Sequence, residues 1–186
     1  AVSRIMASVI IVHGDDKGLR FPWEIAPIQV VIVPIKEDEK IIKKAQELKT
    51  EIEKFTKEPI EIDKTNKSAG EKFNYWEMKG VPIRIDLGPK DIENKQLTVF
   101  RRDLNKKEVI NEKDIIPYVE KVAKESGKNL KKQAEEAFGN RLKETKSIEE
   151  MKKTIGDGGM IKCGFCSVGK EGAKCAEIIE KETGAK

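Results

Sequence analysis

Apolar positions recur with two different periods along this chain, and each change of period marks an element. Ile5, Met6, Val9 and Val12 fall three and four residues apart, the spacing of one face of a helix. The breaker cluster His13-Gly14-Asp15-Asp16-Lys17-Gly18, with Pro22 and Pro27 behind it, ends that helix in a loop. Residues 28–35 are a β-branched apolar run bounded by prolines, which predicts a buried central strand. Ile41, Ala45, Leu48, Ile52 and Phe55 then repeat at helical spacing among lysines and glutamates, so residues 37–56 are expected to form an amphipathic helix crossing back over the sheet. A turn at Glu58-Pro59 leads to a second strand at 60–62, a short helix over 70–79 that stops before Gly80, and a third strand at 82–87. Gly88-Pro89 predicts a turn, residues 96–102 a fourth strand, 108–110 a fifth, and 114–125 a closing helix. This order predicts an α/β fold: a mixed, mostly parallel sheet flanked by helices, with ligand groups gathered at strand ends and loops.

Composition changes near residues 124–130, where the chain becomes lysine- and glutamate-rich helical sequence and then reaches Gly156-Asp157-Gly158-Gly159 and three cysteines. A domain boundary is expected there. The formal net charge of +4 is too small to announce nucleic-acid binding, but its distribution is uneven. Residues 36–63 hold seven lysines against nine acids, whereas residues 64–107 hold eleven lysines or arginines against six acids. No window approaches the run of about 18 apolar residues that a membrane span requires, and no signal peptide is read at the start, so a soluble, cytoplasmic protein is expected. Cys163, Cys166 and Cys175 are an odd number lying close together, a pattern that suits reduced thiols or a metal better than a disulfide framework. The opening Ala1-Val2-Ser3-Arg4 runs straight into apolar sequence, and the chain is read as part of a longer polypeptide.

The positive region contains the block from Lys72 to Asp91, which mixes aromatic rings, carboxylates and cations around two glycine turns, Gly80-Val81-Pro82 and Gly88-Pro89-Lys90-Asp91. Unstacked RNA bases are gripped by such mixtures, through stacking on rings and hydrogen bonds to base edges. Phe73 can stack; Glu77 and Asp91 can accept from guanine N–H groups; Arg84 and Lys90 can donate to guanine O6 and N7. The block resembles the anticodon-binding domain of prolyl-tRNA synthetases of the archaeal and eukaryotic type, which read a guanine-rich, UGG-type anticodon. A competing disposition of the same residues has Phe73 and Trp76 in the core, Arg84 paired with Asp86 or Glu77, and Lys90 solvated. Trp76, one residue before Glu77, is expected to point into the core, while Tyr75 and Lys72 are left open.

The resemblance implies that anticodon contacts fall on Phe73, Glu77, Arg84, Lys90, Asp91 and Lys106. It also implies a division into the end of a class II catalytic domain (1–26), an anticodon-binding domain (27–123) and a partial α+β carboxy-terminal domain (124–186). Residues 3–19 look like class II motif 3, in which Arg4 would hold the ATP phosphates; the hydroxyl residue usual two places earlier is here Val2. His13 reads as a helix cap, and Asp15 and Asp16 as turn residues bonding the local backbone. The family's carboxy-terminal zinc site implies Zn2+ on Cys163, Cys166 and Cys175, although a closed structural site takes four ligands. The whole enzyme would use ATP and Mg2+ to activate proline, charge tRNA(Pro), and act as a homodimer. The 186 residues alone are expected to bind tRNA weakly and aminoacylate nothing. Two other readings are a stand-alone RNA-binding module or inactive paralogue, and a zinc-stabilised protein-interaction module.

Overall fold

The computed structural model describes residues 2–36, 38–56 and 59–185. Glu37, at the expected start of a helix, and Glu58, in the expected turn, lie outside them. The chain divides into two compact units, Ala1–Lys132 and Gln133–Lys186.

In the first unit, helix α1 (Val2–His13) buries none of its residues. After a 3-10 turn at Trp23–Ile25 come β1 (Val30–Pro34), α2 (Glu39–Glu53), β2 (Glu61–Ile62), α3 (Ala69–Met78), β3 (Ile83–Leu87), α4 (Pro89–Asn94), β4 (Gln96–Arg101), β5 (Lys106–Asn111) and the start of α5 (Ile115–Arg141). Among the described residues five strands make one sheet in the order β2-β1-β3-β4-β5. β1 runs parallel to both β2 and β3, while β3, β4 and β5 are antiparallel neighbours. The parallel half is where helices cross over, as parallel neighbours require.

Local chemistry sets these boundaries. Asp38 caps α2 by accepting from the Lys40 N–H at 2.8 Å. Ser68 and Glu71 form a capping box that starts α3. α4 occupies the stretch that follows the expected Gly88-Pro89 turn: Pro89 suits the first helical position, and Asp91 accepts from the Gly88 N–H at 2.9 Å. The closing helix runs on without a break to Arg141, through residues 124–130.

One face of the sheet packs against α2 and α5 through Val30, Ile32, Ile83, Ile85, Leu97 and Val99, which meet Ile41, Leu48, Ile52, Ile115 and Val122. Full burial of such aliphatic side chains contributes about 1.5–3 kcal/mol each, so this layer holds the fold together. The other face is covered by α3 through a smaller cluster of Val31, Val33, Val81, Phe73 and Trp76.

The second unit contains the last turns of α5, β6 (Leu142–Glu144), α6 (Ile148–Gly156), β7 (Met160–Lys162) and α7 (Gly172–Thr183). β6 and β7 pair in parallel, and Arg141 donates to the Gly158 carbonyl at 2.8 Å. Among its described residues, Met151 is the buried hydrophobic side chain. Among the described residues no helix is long and apolar enough to cross a membrane.

Candidate nucleic-acid interface

Strand β3 alternates Ile83, Arg84, Ile85, Asp86, Leu87, and all five residues are buried. Alternation sends the aliphatic residues toward α2 and α5 and the charged pair toward α3. Arg84, 2% exposed, is the centre of that second face. Its Nε donates to Asp86 Oδ1 at 2.7 Å, and its Nη1 donates to Glu77 Oε1 at 2.8 Å and to the Phe73 carbonyl at 3.2 Å. The guanidinium carbon lies 4.1 Å from the Phe73 ring centre and 4.6 Å from that of Phe100. A planar, weakly hydrated cation between two rings and two carboxylates is the environment in which arginine tolerates burial.

Lys107 joins the group from β5, its Nζ 3.2 Å from Asp86 Oδ2 and 4.7 Å from the Phe73 ring centre. Glu77 also meets Lys17 at 3.4 Å. Burial alone would raise the Glu77 carboxyl, but hydrogen bonding and charge attraction from Arg84, with Lys17 behind, outweigh it and hold the group below the usual glutamate range. Glu77 is therefore an ionised acceptor at neutral pH. Above these groups lies a cavity of about 660 Å³ lined by Phe73, Asn74, Glu77, Arg84, Lys107 and the loop at residues 15–18.

Phe73, Glu77 and Arg84 are thus brought together as a set. Arg84 sits in the competing disposition given by the sequence, paired with both Asp86 and Glu77. Asp91 lies one register further along the same face: its Oδ1 accepts from Thr98 Oγ1 at 2.9 Å, and Thr98 is the cross-strand partner of Asp86. Lys90, beside it on α4, is exposed. The structure does not bring Lys106 to this group. Lys106 is the partner of Arg101 and Lys107 the partner of Phe100, so Lys106 faces the α5 side and pairs with Glu108, which Tyr118 also holds at 2.8 Å. Lys107 and Phe100 were missed by sequence reasoning, and Asp86 entered it only as an alternative partner of Arg84. The signal that could have found Lys107 is strand parity, once β5 is known to begin at Lys106 and not two residues later. Trp76 is core-facing as expected, packing on Val31 and Val33 and donating to Asp63 Oδ2 at 2.7 Å. Lys72 is buried against the Asp63 carbonyl, and Tyr75 lies on the exposed side with Lys67 and Lys79 near its ring.

The sequence profile of the family described as "Anticodon binding domain" matches residues 29–122, which contain the whole five-stranded sheet. The chain belongs to the anticodon-binding domain family. Similar proteins include proline–tRNA ligases from Thermofilum pendens, 37% identical over 184 residues, and Alkaliphilus oremlandii, 41% identical over 186 residues. These matches cover 97% and 98% of this chain and 37% of each relative. The proline–tRNA ligase of Methanocaldococcus jannaschii is 46% identical over 142 residues, covering 74% of this chain and 30% of the relative. The chain therefore spans little more than a third of the length of the relatives it matches.

Residues outside the anticodon-binding domain profile also shape the cavity. Asp15 bonds its local backbone as expected, accepting from the Lys17 N–H at 2.9 Å. It also takes both ends of the Arg102 guanidinium, at 2.6 and 2.7 Å, a long-range partner that turn chemistry did not reveal. That hydrogen bonding holds the Asp15 carboxyl well below the usual aspartate range, against the pull of its partial burial. His13 is the last residue of α1; burial, then the Arg20 charge, lowers its pKa, so it is a neutral ring at the helix end. Arg4 lies in an exposed turn of α1, where its carbonyl accepts from Ser8 Oγ at 2.9 Å.

In the second unit Cys166 and Cys175 share a thiol hydrogen bond that raises the Cys166 pKa and lowers that of Cys175. Among the described residues no group of three or more metal-binding side chains is assembled, so Cys163, Cys166 and Cys175 do not form the expected zinc set. Two adjacent thiols are half of a closed tetrahedral site.

Proposed function

We propose that the chain is the anticodon-reading part of a proline–tRNA ligase of the archaeal and eukaryotic type, a class II enzyme. The whole protein would activate proline with ATP and Mg2+, charge tRNA(Pro), and work as a cytoplasmic homodimer. On this reading residues 1–26 end the catalytic domain with Arg4 on the ATP phosphates, 27–123 read the anticodon, and 124–186 begin a carboxy-terminal domain. Zinc belongs to the reading only where a longer chain supplies the remaining thiolates.

The observation that carries the proposal is the cavity in which an ionised Glu77 and the sandwiched Arg84 meet the half-buried ring of Phe73. Glu77 accepts from the N1–H and N2–H edge of a guanine, and Phe73 supplies a ring beside it. Arg84 serves first by orienting Glu77; its remaining N–H and the neighbouring Lys107 offer donors for O6 and N7. Lys90 and Asp91, at the end of β3, would read a second guanine by the same donor and acceptor logic, with Lys106 left as a phosphate contact on the opposite side.

Binding of anticodon stem-loop RNA to the full chain tests this. The loop with two adjacent guanines is expected to bind more tightly than its adenine-substituted versions. Lys90→Ala, at an exposed position, should lower the discrimination by about 1–3 kcal/mol. Equal weakening for every loop would make Lys90 a backbone contact, and equal binding of all loops by the unaltered chain would sink the reading.

A further inference from the structure

Four residues of the loop between α1 and the sheet, Asp15 to Gly18, line the same cavity as Phe73, Glu77 and Arg84, although they precede the family match. The loop is held there by its backbone. Leu19 N–H donates to the Met78 carbonyl at 3.0 Å, and Asp15 grips Arg102, which is 1% exposed and also donates to the Glu77 carbonyl at 3.0 Å. Gly18 has φ +127, and a Cβ there would sit 2.5 Å from the Met78 Cα, so this position accepts glycine alone. Arg102 therefore ties the loop and the end of α3 into one body.

The Lys17 side chain is the cation that this pinned backbone brings to the cavity. It is 54% exposed, its Nζ is 3.4 Å from Glu77 Oε2, and it lies 5.9 Å from the Phe100 ring centre. Glu77 thus has one oxygen on buried Arg84 and the other on a cation that water reaches easily. Asp16 also lines the cavity, and Asp15 is already occupied by Arg102. The two Glu77 contacts differ in replaceability: Arg84 is locked by Asp86 and two rings, whereas Lys17 turns on a flexible four-carbon stem.

We propose that Lys17 is an RNA ligand that exchanges partners during binding. In the structure it holds the outer oxygen of Glu77. When the N–H edge of a base takes that oxygen, Lys17 swings to the phosphate of the same nucleotide. One charge-assisted contact is given up and one is made, so the carboxylate keeps a donor throughout. The loop ahead of the anticodon-binding domain is thereby part of the reader. This rests on the anticodon reading proposed above.

The test is the salt dependence of anticodon stem-loop binding by the full chain, the Lys17→Ala variant and the Lys17→Arg variant. Loss of one phosphate contact should reduce the log–log salt slope by about 0.7 and weaken binding at low salt by roughly threefold to tenfold. The loss should be larger for guanine-containing than for adenine-substituted loops, because only a base whose N–H edge takes the Glu77 oxygen releases Lys17 to its phosphate, and Lys17→Arg should restore the slope. If the unaltered chain discriminates guanine loops and Lys17→Ala leaves slope and affinity unchanged, the exchange is wrong while the anticodon reading stands. If Lys17→Ala changes discrimination and leaves the slope alone, Lys17 touches a base and the proposed phosphate contact is overturned. Should the unaltered chain bind no loop RNA, both proposals fall.

Discussion

The two faces of strand β3 hold the same sheet by different physics. Toward α2 and α5, Ile83, Ile85 and Leu87 lose their water and gain only close packing. Toward α3, Arg84 and Asp86 are buried equally deeply, but each is acceptable only because partners from α3 and β5 meet it. Burying unlike charges stabilises a fold little, since desolvation consumes most of the attraction. The apolar face therefore supplies stability, and the polar face supplies a fixed set of donors and acceptors at the price of depending on every member.

The sharpest way to break the comparison is Arg84→Ala. It would leave Asp86 buried with Lys107 as its remaining cation and Glu77 with Lys17, and removal of one partner from a buried network costs about 3–5 kcal/mol. Urea denaturation should show this as a fall in midpoint at unchanged slope. The combined variant Glu77→Leu, Arg84→Met, Asp86→Leu should recover most of the loss, because apolar residues of similar volume need no partners, yet it should not regain guanine discrimination. A triple variant no more stable than Arg84→Ala would mean that the polar face carries stability after all.

On the apolar face, Ile85→Ala is expected to cost about 2–5 kcal/mol through lost burial and the cavity left behind. The same denaturation experiment measures it. Guanine discrimination and the salt slope of RNA binding should stay as they were while the protein remains folded. A changed slope would show that the two faces are coupled through the strand.

This division explains how much could be read from the sequence. Periodicity located the apolar face well: Ile41, Ala45, Leu48 and Ile52 are the buried stripe of α2, and the run at 28–35 contains β1. Burial of aliphatic residues needs only spacing, which is local. The polar face needs to know which strands are neighbours. Arg84 beside Phe73 and Glu77 was legible because α3 and β3 are consecutive in the parallel half, but the choice between Lys106 and Lys107 depends on a register set by β4. The Asp15 to Arg102 pair spans 87 residues, and nothing in a Gly-Asp-Asp turn names its distant partner. The span of α4 was hidden for another reason: its six residues, opening with Pro89, carry too little periodicity to separate a helix from a turn. The placement of the cysteines was equally illegible, since three thiols within thirteen residues fix no geometry.

The smallest expected effect comes from Glu77→Gln, which keeps the shape and an acceptor for Arg84 but removes the charge. At neutral pH it should cost about 1 kcal/mol, the difference between a charge-assisted and a neutral hydrogen bond. Its pH dependence says more than its size. Because the folded protein holds the Glu77 carboxyl below the usual value of 4.5, the unfolded chain takes up that proton first on acidification. The contribution of Glu77 is therefore complete above about pH 4.5 and disappears as pH falls through the folded value. The Gln variant lacks this component, so the stability curves of the two proteins should lie apart at neutral pH and converge in acid. Both should still decline there, since Asp15 and Asp63 are depressed in the same direction. Ile85→Ala, on the opposite face, should instead give a curve parallel to that of the unaltered protein at every pH, and parallel curves for Glu77→Gln as well would remove the electrostatic distinction between the two faces.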